Sequence, residues 1–319
     1  MAASSNPTDF MQTQTAFKPA ETTLRGVRVL SVALNLPGPA ALMRLANMGA
    51  QCTKLEPLPP SPMPAGSPTD PMGLYAPHAY AQLHAGVKVV QADLKTPAGQ
   101  KKLDSLLAKS DVLLTSFRPS ALKKLGMDWA SLHARHPSLI VVRIVGSSGA
   151  AAEIPGHDLT YLAEHGLVTG LDLPATLFAD MAGSLQASEA VLKALWQRSR
   201  PGRAQGKGVG LDVALADAAA YLALPRHWGL TLPQGSVGGA HAGYAVYACL
   251  DGRVAVAALE THFAAKLLQV AGLVSHEPTV KQMMQASTRQ ALAAYFAPLS
   301  RAHIDALARD HDLPLLSLP

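Results

Sequence analysis

The chain has 319 residues, 49% of them hydrophobic and only 15% charged, which is enough apolar material for a large core and more than one domain. Its net charge of +5 is spread along the chain and aromatics make up only 5%, a balance that disfavours nucleic acid and suits a phosphate-bearing small molecule. No apolar run is long enough to span a bilayer, because the most apolar stretches, 139–146 and 211–224, are interrupted by Arg143 and by Asp212 and Asp217.

Residues 1–23 carry neither an export nor a transit pattern and are expected to be a flexible tail on a cytoplasmic protein. From Leu24, "GVRVLSV" reads as a buried strand, "NLPGPAALMRLANMGA" as a turn and helix, and "QCTKLEP" as a second strand ending on Glu56, together a parallel βαβ unit. Glu56 stands where a dinucleotide-binding unit places its ribose ligand. The turn Asn35-Leu36-Pro37-Gly38-Pro39 lacks the G-x-G-x-x-G phosphate loop, however, so NAD is disfavoured. The Pro-rich stretch 57–77 is expected to be an exposed, mobile loop. Alternation then resumes with "VKVVQADL", a helix over 97–108, "DVLLTSF", a helix over 120–124, and "SLIVVRIVG".

In "IPGHDLTYLAEHGLVTG" apolar positions recur at helical spacing behind Asp158, which is read as the N-cap. A helix start also offers free N–H groups to an oxyanion, so capping and chemistry can coexist there. A long helix over 181–198 comes next, ending in the basic, Gly-rich turn "WQRSRPGRAQGKG", and then "GVGLDVALADAAAYLAL". "GYAVYACLDGRVAVAAL" reads as a β-hairpin turning at Asp251-Gly252, with helical segments to the end. The fold class is therefore α/β, with an open, mostly parallel Rossmann-like sheet carrying helices on both faces over 24–224. A second, smaller α+β domain occupies 225–319. Cys52 and Cys249 match no metal or redox spacing and are read as buried thiols, no metal site is expected, and His84, His227 and His262 are assigned surface or packing roles.

Several stretches, in this order and spacing, resemble the class III CoA-transferase family from Leu24 to about Pro314, and within it the α-methylacyl-CoA racemases most closely. They are "LRGVRVLSVA", "PGPAALMRLANMGAQCTKLE", "QADLKTPAG", "DVLLTSFRPSALKKLG", "GHDLTYLAEHGL", "LFADMAGS", "GKGVGLDVALADAAA", "YAVYACLDGRVAVAALETHF" and "DLPLLSL". The resemblance implies an acyl-CoA substrate, no permanently bound cofactor (coenzyme A entering as part of the substrate) and an interlocked homodimer. It makes His157 and Asp180 the acid/base pair of a racemase. Glu260 becomes the carboxylate partnering the histidine across the assembly, and the N–H of Asp158 the receiver of the thioester oxygen. For CoA it implies Arg118 at a phosphate, Ala92, Asp93, Leu94 and Lys95 along the adenine, Lys88 as a retained basic residue, and Lys124 where the racemases have an arginine.

Racemisation next to a thioester needs a base on each face of the carbon and a stabilised enolate oxygen, which these residue types supply. In the transferase alternative Asp180 attacks the thioester and holds the acyl group as a mixed anhydride. A third reading, a CoA-binding protein with degraded catalysis, rests on departures from the family pattern. "LEPLPP" and "LHAGVK" replace basic segments, "GSSGAAAEIPG" is a shortened loop, and relatives continue past "DLPLLSLP" with a segment that returns to the first domain and is expected to be absent here.

Overall fold

The computed structural model describes residues 23–202, 205–274, 276–277 and 279–319, so the expected tail lies, but for Thr23, outside the described residues. The chain divides into two compact units, Met1–Leu222 and Ala223–Pro319. Among the described residues no helix is long and apolar enough to cross a membrane.

In the first unit strands alternate with helices. They run β1 (Arg28–Ser31), α1 (Pro37–Asn47), β2 (Gln51–Glu56), α2 (Pro71–Tyr75), α3 (Pro77–Leu83), β3 (Lys88–Gln91), α4 (Pro97–Leu107), β4 (Val112–Thr115), α5 (Pro119–Lys124), α6 (Trp129–Arg135), β5 (Ile140–Val145), α7 (Asp158–Glu164), α8 (Phe178–Ser199), β6 (Gly210–Ala214) and α9 (Leu215–Leu222). The six strands form one parallel sheet in the order β3-β2-β1-β4-β5-β6. Side chains alternate across it, as strand geometry requires. Val29, Val112, Leu114, Ile140 and Val142 enter one core with Leu42 and Leu45 of α1 and Ala187 and Val191 of α8. Leu30, Leu113 and Val141 enter the other, with Leu103 and Leu107 of α4, Leu122 of α5 and Leu132 of α6. Both faces are covered, which is why these strands read as continuous apolar runs. On α8 a Cβ at Gly183 would stand 2.3 Å from Leu215 Cδ2, so the missing side chain is what lets α8 and α9 approach.

The strand order reverses between β1 and β4, and their carboxyl ends open a crevice at that point. The rim of the crevice rests on a buried ionic cluster. Lys54, with 0% of its side chain exposed, is hydrogen-bonded to the Asp70 carboxylate, lies 3.4 Å from that of Glu56, and contacts His84 Nε2 at 3.1 Å. Glu56 also accepts from the N–H and hydroxyl of Thr69 (2.9 and 3.1 Å) and from the Tyr80 hydroxyl (2.9 Å). The other Asp70 oxygen accepts the N–H groups of Met72 and of Asn35, whose φ of 63° is left-handed. The 57–77 stretch therefore corrects expectation. Its first half is exposed, but its end is docked, because the loop brings the Asp70 carboxylate to the buried Lys54 of β2 and the Thr69 donors to Glu56. Residues 71–75 form α2. His84 packs within this cluster, 7% exposed.

The second unit carries β7 (Tyr244–Cys249), β8 (Gly252–Ala257), α10 (Thr261–Val270), α11 (Ala286–Phe296), α12 (Arg301–Asp310) and β9 (Leu315–Leu318). Cys249 pairs with Gly252, so the hairpin turns through Leu250 and Asp251, one residue earlier than the sequence suggests. "LLSL" forms β9 antiparallel to β8, so the unit ends on a strand rather than a helix. Val254 and Val256 on one face of β8 pack with Leu267, Leu292, Phe296 and Ile304.

Replacing Lys54 by Met leaves Asp70 and Glu56 buried without their cation. It should lower unfolding free energy by about 3 to 5 kcal/mol in urea titration, against about 0.5 kcal/mol or less for Lys88→Met at an exposed site.

Candidate active site

A cavity of 130 Å³ sits at the carboxyl ends of β1, β4 and β5. The loop after β1 contributes Asn35, the loop after β4 Arg118, the end of β5 Gly146, and the two helices after β5 supply His157, Tyr161 and Asp180. Two of the four residues expected to be catalytic, His157 and Asp180, thus line one cavity.

The local assignments differ from expectation in an instructive way. His157, not Asp158, is the N-cap of α7, with extended φ and ψ of −140° and 170°, and its N–H donates to the Thr160 hydroxyl at 3.1 Å. Asp158 is the first helical residue and is 4% exposed. Its carboxylate crosses to the next helix and accepts the N–H of Asp180 at 3.0 Å. Because α8 begins at Phe178 rather than 181, Asp180 sits inside its first turn, where its N–H has no intrahelical acceptor. Asp158 therefore caps α8, not its own helix.

Asp180 is pushed up from the ordinary 3.8 to about 7, first by burial and then by the negative charge of Asp158. A carboxyl poised there exists in both protonation states at neutral pH and can give or take a proton. Tyr161 is raised above its ordinary value by burial and by Asp180, partly offset by Arg118. Cys52 is buried among apolar groups and its thiol is pushed up to about 12, while Cys249 is half-buried.

Arg118 is the N-cap residue of α5, exposed and without an ion-pair partner among the described residues. The loop after β5 is pinned beside it, since Glu153 accepts from the N–H and hydroxyl of Ser120 at 2.6 and 2.9 Å. Ala92, Asp93, Leu94 and Lys95 come directly after the carboxyl end of β3 and line a 390 Å³ groove with Phe117 and Leu125. Leu94, Lys95 and Leu125 also line an adjoining 770 Å³ groove that includes Lys124. Phe117 lines both the 130 and the 390 Å³ spaces, which places them side by side. Lys88 lies at the amino end of β3, the opposite end of the strand from Ala92. Glu260 is in the second unit, exposed, as the N-cap residue of α10 with no side-chain cap bond. Sequence reasoning misses Tyr161 and Asn35. The spacing of Tyr161, one turn after His157, is the signal for the first; nothing in the sequence flags the left-handed turn at the second.

The family model for CoA-transferase family III matches residues 24–318, and the chain belongs to that family. It is 30% identical over 272 residues to the human α-methylacyl-CoA racemase, covering 80% of this chain and 66% of that protein. It is 33% identical over 204 residues to the succinyl-CoA–D-citramalate CoA-transferase of Chloroflexus aurantiacus, covering 59% and 49%. The chain thus spans about half to two thirds of the length of these curated relatives. Among solved structures it is similar to the hypothetical protein Rv3272 of Mycobacterium tuberculosis, with a TM-score of 0.76 and 25% identity over 92% of this chain and 83% of that one.

A raised carboxyl pKa means that the folded state holds a proton the unfolded state has lost. The resulting stability is fully present below about 3.8 and gone above about 7. Asp180→Asn, which cannot ionise, should therefore gain on the wild type as pH rises. Thermal melts should show a midpoint a few degrees above wild type at pH 8 and little difference at pH 4.

Proposed function

We propose that the chain acts on acyl-CoA thioesters, exchanging the proton on the α-carbon between His157 and Asp180 in the manner of a racemase. The observation that carries this is the presence of both groups in one cavity, with Asp180 poised near neutrality. The thioester is placed across Phe117, with Lys124, Lys95 and Arg118 meeting the phosphates and Leu94 beside the adenine. One base removes the α-proton, negative charge develops on the thioester oxygen, and the other base returns a proton to the opposite face. The N–H of Asp158 at the start of α7, which has no intrahelical acceptor, is the donor for that oxygen.

A transferase reading is favoured by one separate observation, the relationship to transferases such as the Chloroflexus protein. There Asp180 attacks the thioester carbonyl and CoA leaves as thiolate. The thiolate then adds to the Asp180 carbonyl carbon of the anhydride, releasing the donor acid. The incoming carboxylate displaces CoA to form a second anhydride, and the thiolate attacks the new acyl carbon to give the product thioester and free Asp180. This route needs Asp180 deprotonated and gives His157 no required part.

Incubating a chiral 2-methylacyl-CoA in deuterated buffer without a second carboxylic acid separates the readings. Racemisation with deuterium at the α-carbon is expected, and His157→Ala should suppress exchange from one enantiomer more than from the other. Arg118→Ala should weaken CoA binding about 10- to 100-fold through a lost charge-assisted contact. No exchange, together with acyl trapping by hydroxylamine at Asp180, would establish the transferase. CoA binding with neither reaction would leave a binding protein.

A further inference from the structure

Tyr161 lies one turn along α7 from His157 and is 6% exposed, yet its hydroxyl has no hydrogen-bond partner among the described residues. Buried tyrosine hydroxyls ordinarily find a partner. This one borders the cavity instead, and two glycines make the room. A Cβ on Gly146 would stand 2.4 Å from the hydroxyl oxygen, and one on Gly156 would stand 2.7 Å from it. The end of β5 and the entry to α7 are thus shaped around the phenol. Burial and the charge of Asp180 keep that phenol protonated at neutral pH, so it presents a neutral O–H. Asn35, held in its left-handed turn through Asp70, lines the same cavity with a side-chain amide that also lacks a partner among the described residues.

With Arg118 assigned to the CoA phosphates, the Tyr161 hydroxyl and the Asn35 amide are two of the neutral polar groups left for the acyl end. The cavity measures 130 Å³, a little under the roughly 150 Å³ that accommodates a benzene, so a handful of heavy atoms fits beside the reacting carbon.

Building on the acyl-CoA reading, we propose that the pocket selects a short acyl group bearing a neutral oxygen, hydroxy or oxo, near the thioester. Tyr161 is the residue that recognises that oxygen. Specificity arises because an unsubstituted chain covers the hydroxyl without pairing it, whereas an oxygen substituent satisfies it.

Calorimetric titration of wild type and Tyr161→Phe with CoA, butyryl-CoA and 3-hydroxybutyryl-CoA tests this, since the two thioesters differ by one hydroxyl. The wild type should bind the hydroxyacyl thioester about tenfold tighter than butyryl-CoA. Tyr161→Phe should bring the two within about threefold of each other, with affinity for free CoA unchanged. Equal binding by the wild type, tighter binding of butyryl-CoA, or a preference that survives Tyr161→Phe would overturn the assignment. The wild-type comparison stands even if the variant fails to fold. Loss of all binding, free CoA included, would instead bring down the acyl-CoA reading and this inference with it.

Discussion

The carboxylate of Asp158 holds the site together. It is almost fully buried and accepts the N–H of Asp180 at 3.0 Å, tying the first turn of α7 to the first turn of α8. The same contact has two electrostatic consequences of opposite sense. Carboxylate and amide attract, which fixes where α8 starts. Carboxylate and carboxylate repel, which together with burial lifts Asp180 to about 7. A capping interaction that is ordinary in itself thus adds to burial in raising the pKa of the neighbouring acid. Burial outweighs the favourable field of the helix N-terminus at Asp180, a field that on an exposed turn is worth only about 0.3 to 1 kcal/mol.

The sheet explains why these helices meet there. With strand order reversing between β1 and β4, the loops after both strands diverge, and the space between them is closed by the segment after β5 that carries α7 and α8. The loop after β1 is held from below by Asp70, itself paired to Lys54 inside the core. Asn35 therefore keeps a backbone conformation that non-glycine residues seldom adopt. Glu56, where a nucleotide-binding relative would keep a ribose ligand, is occupied by Thr69 and Tyr80 and belongs to this support.

Much of this is legible in the sequence because buried parallel strands announce themselves. Runs such as "VLLT" and "IVVRIV" leave little choice of element, and the missing glycine loop argues against a dinucleotide. His157 and Asp180 are identified through resemblance, and they do share a cavity. The features that stay hidden depend on contacts distant in sequence. The cap on Asp180 comes from 22 residues away, and the end of the Pro-rich segment is buried by a lysine 16 residues from Asp70. β9 reads as part of a helical tail because four residues carry no period of their own until β8 pairs with them. The free hydroxyl of Tyr161 is invisible for a similar reason, since a tyrosine on an amphipathic helix reads as core unless the glycines facing it are known.

The coupling of Asp158 to Asp180 can be read directly by carbon-13 NMR titration of the Asp180 side-chain carboxyl, assigned by difference from Asp180→Asn. The account predicts a midpoint near 7 in the wild type and a clearly lower one in Asp158→Asn, whose amide oxygen can still accept the N–H but carries no charge. A midpoint close to the ordinary 3.8, or one that Asp158→Asn leaves unmoved, would contradict it.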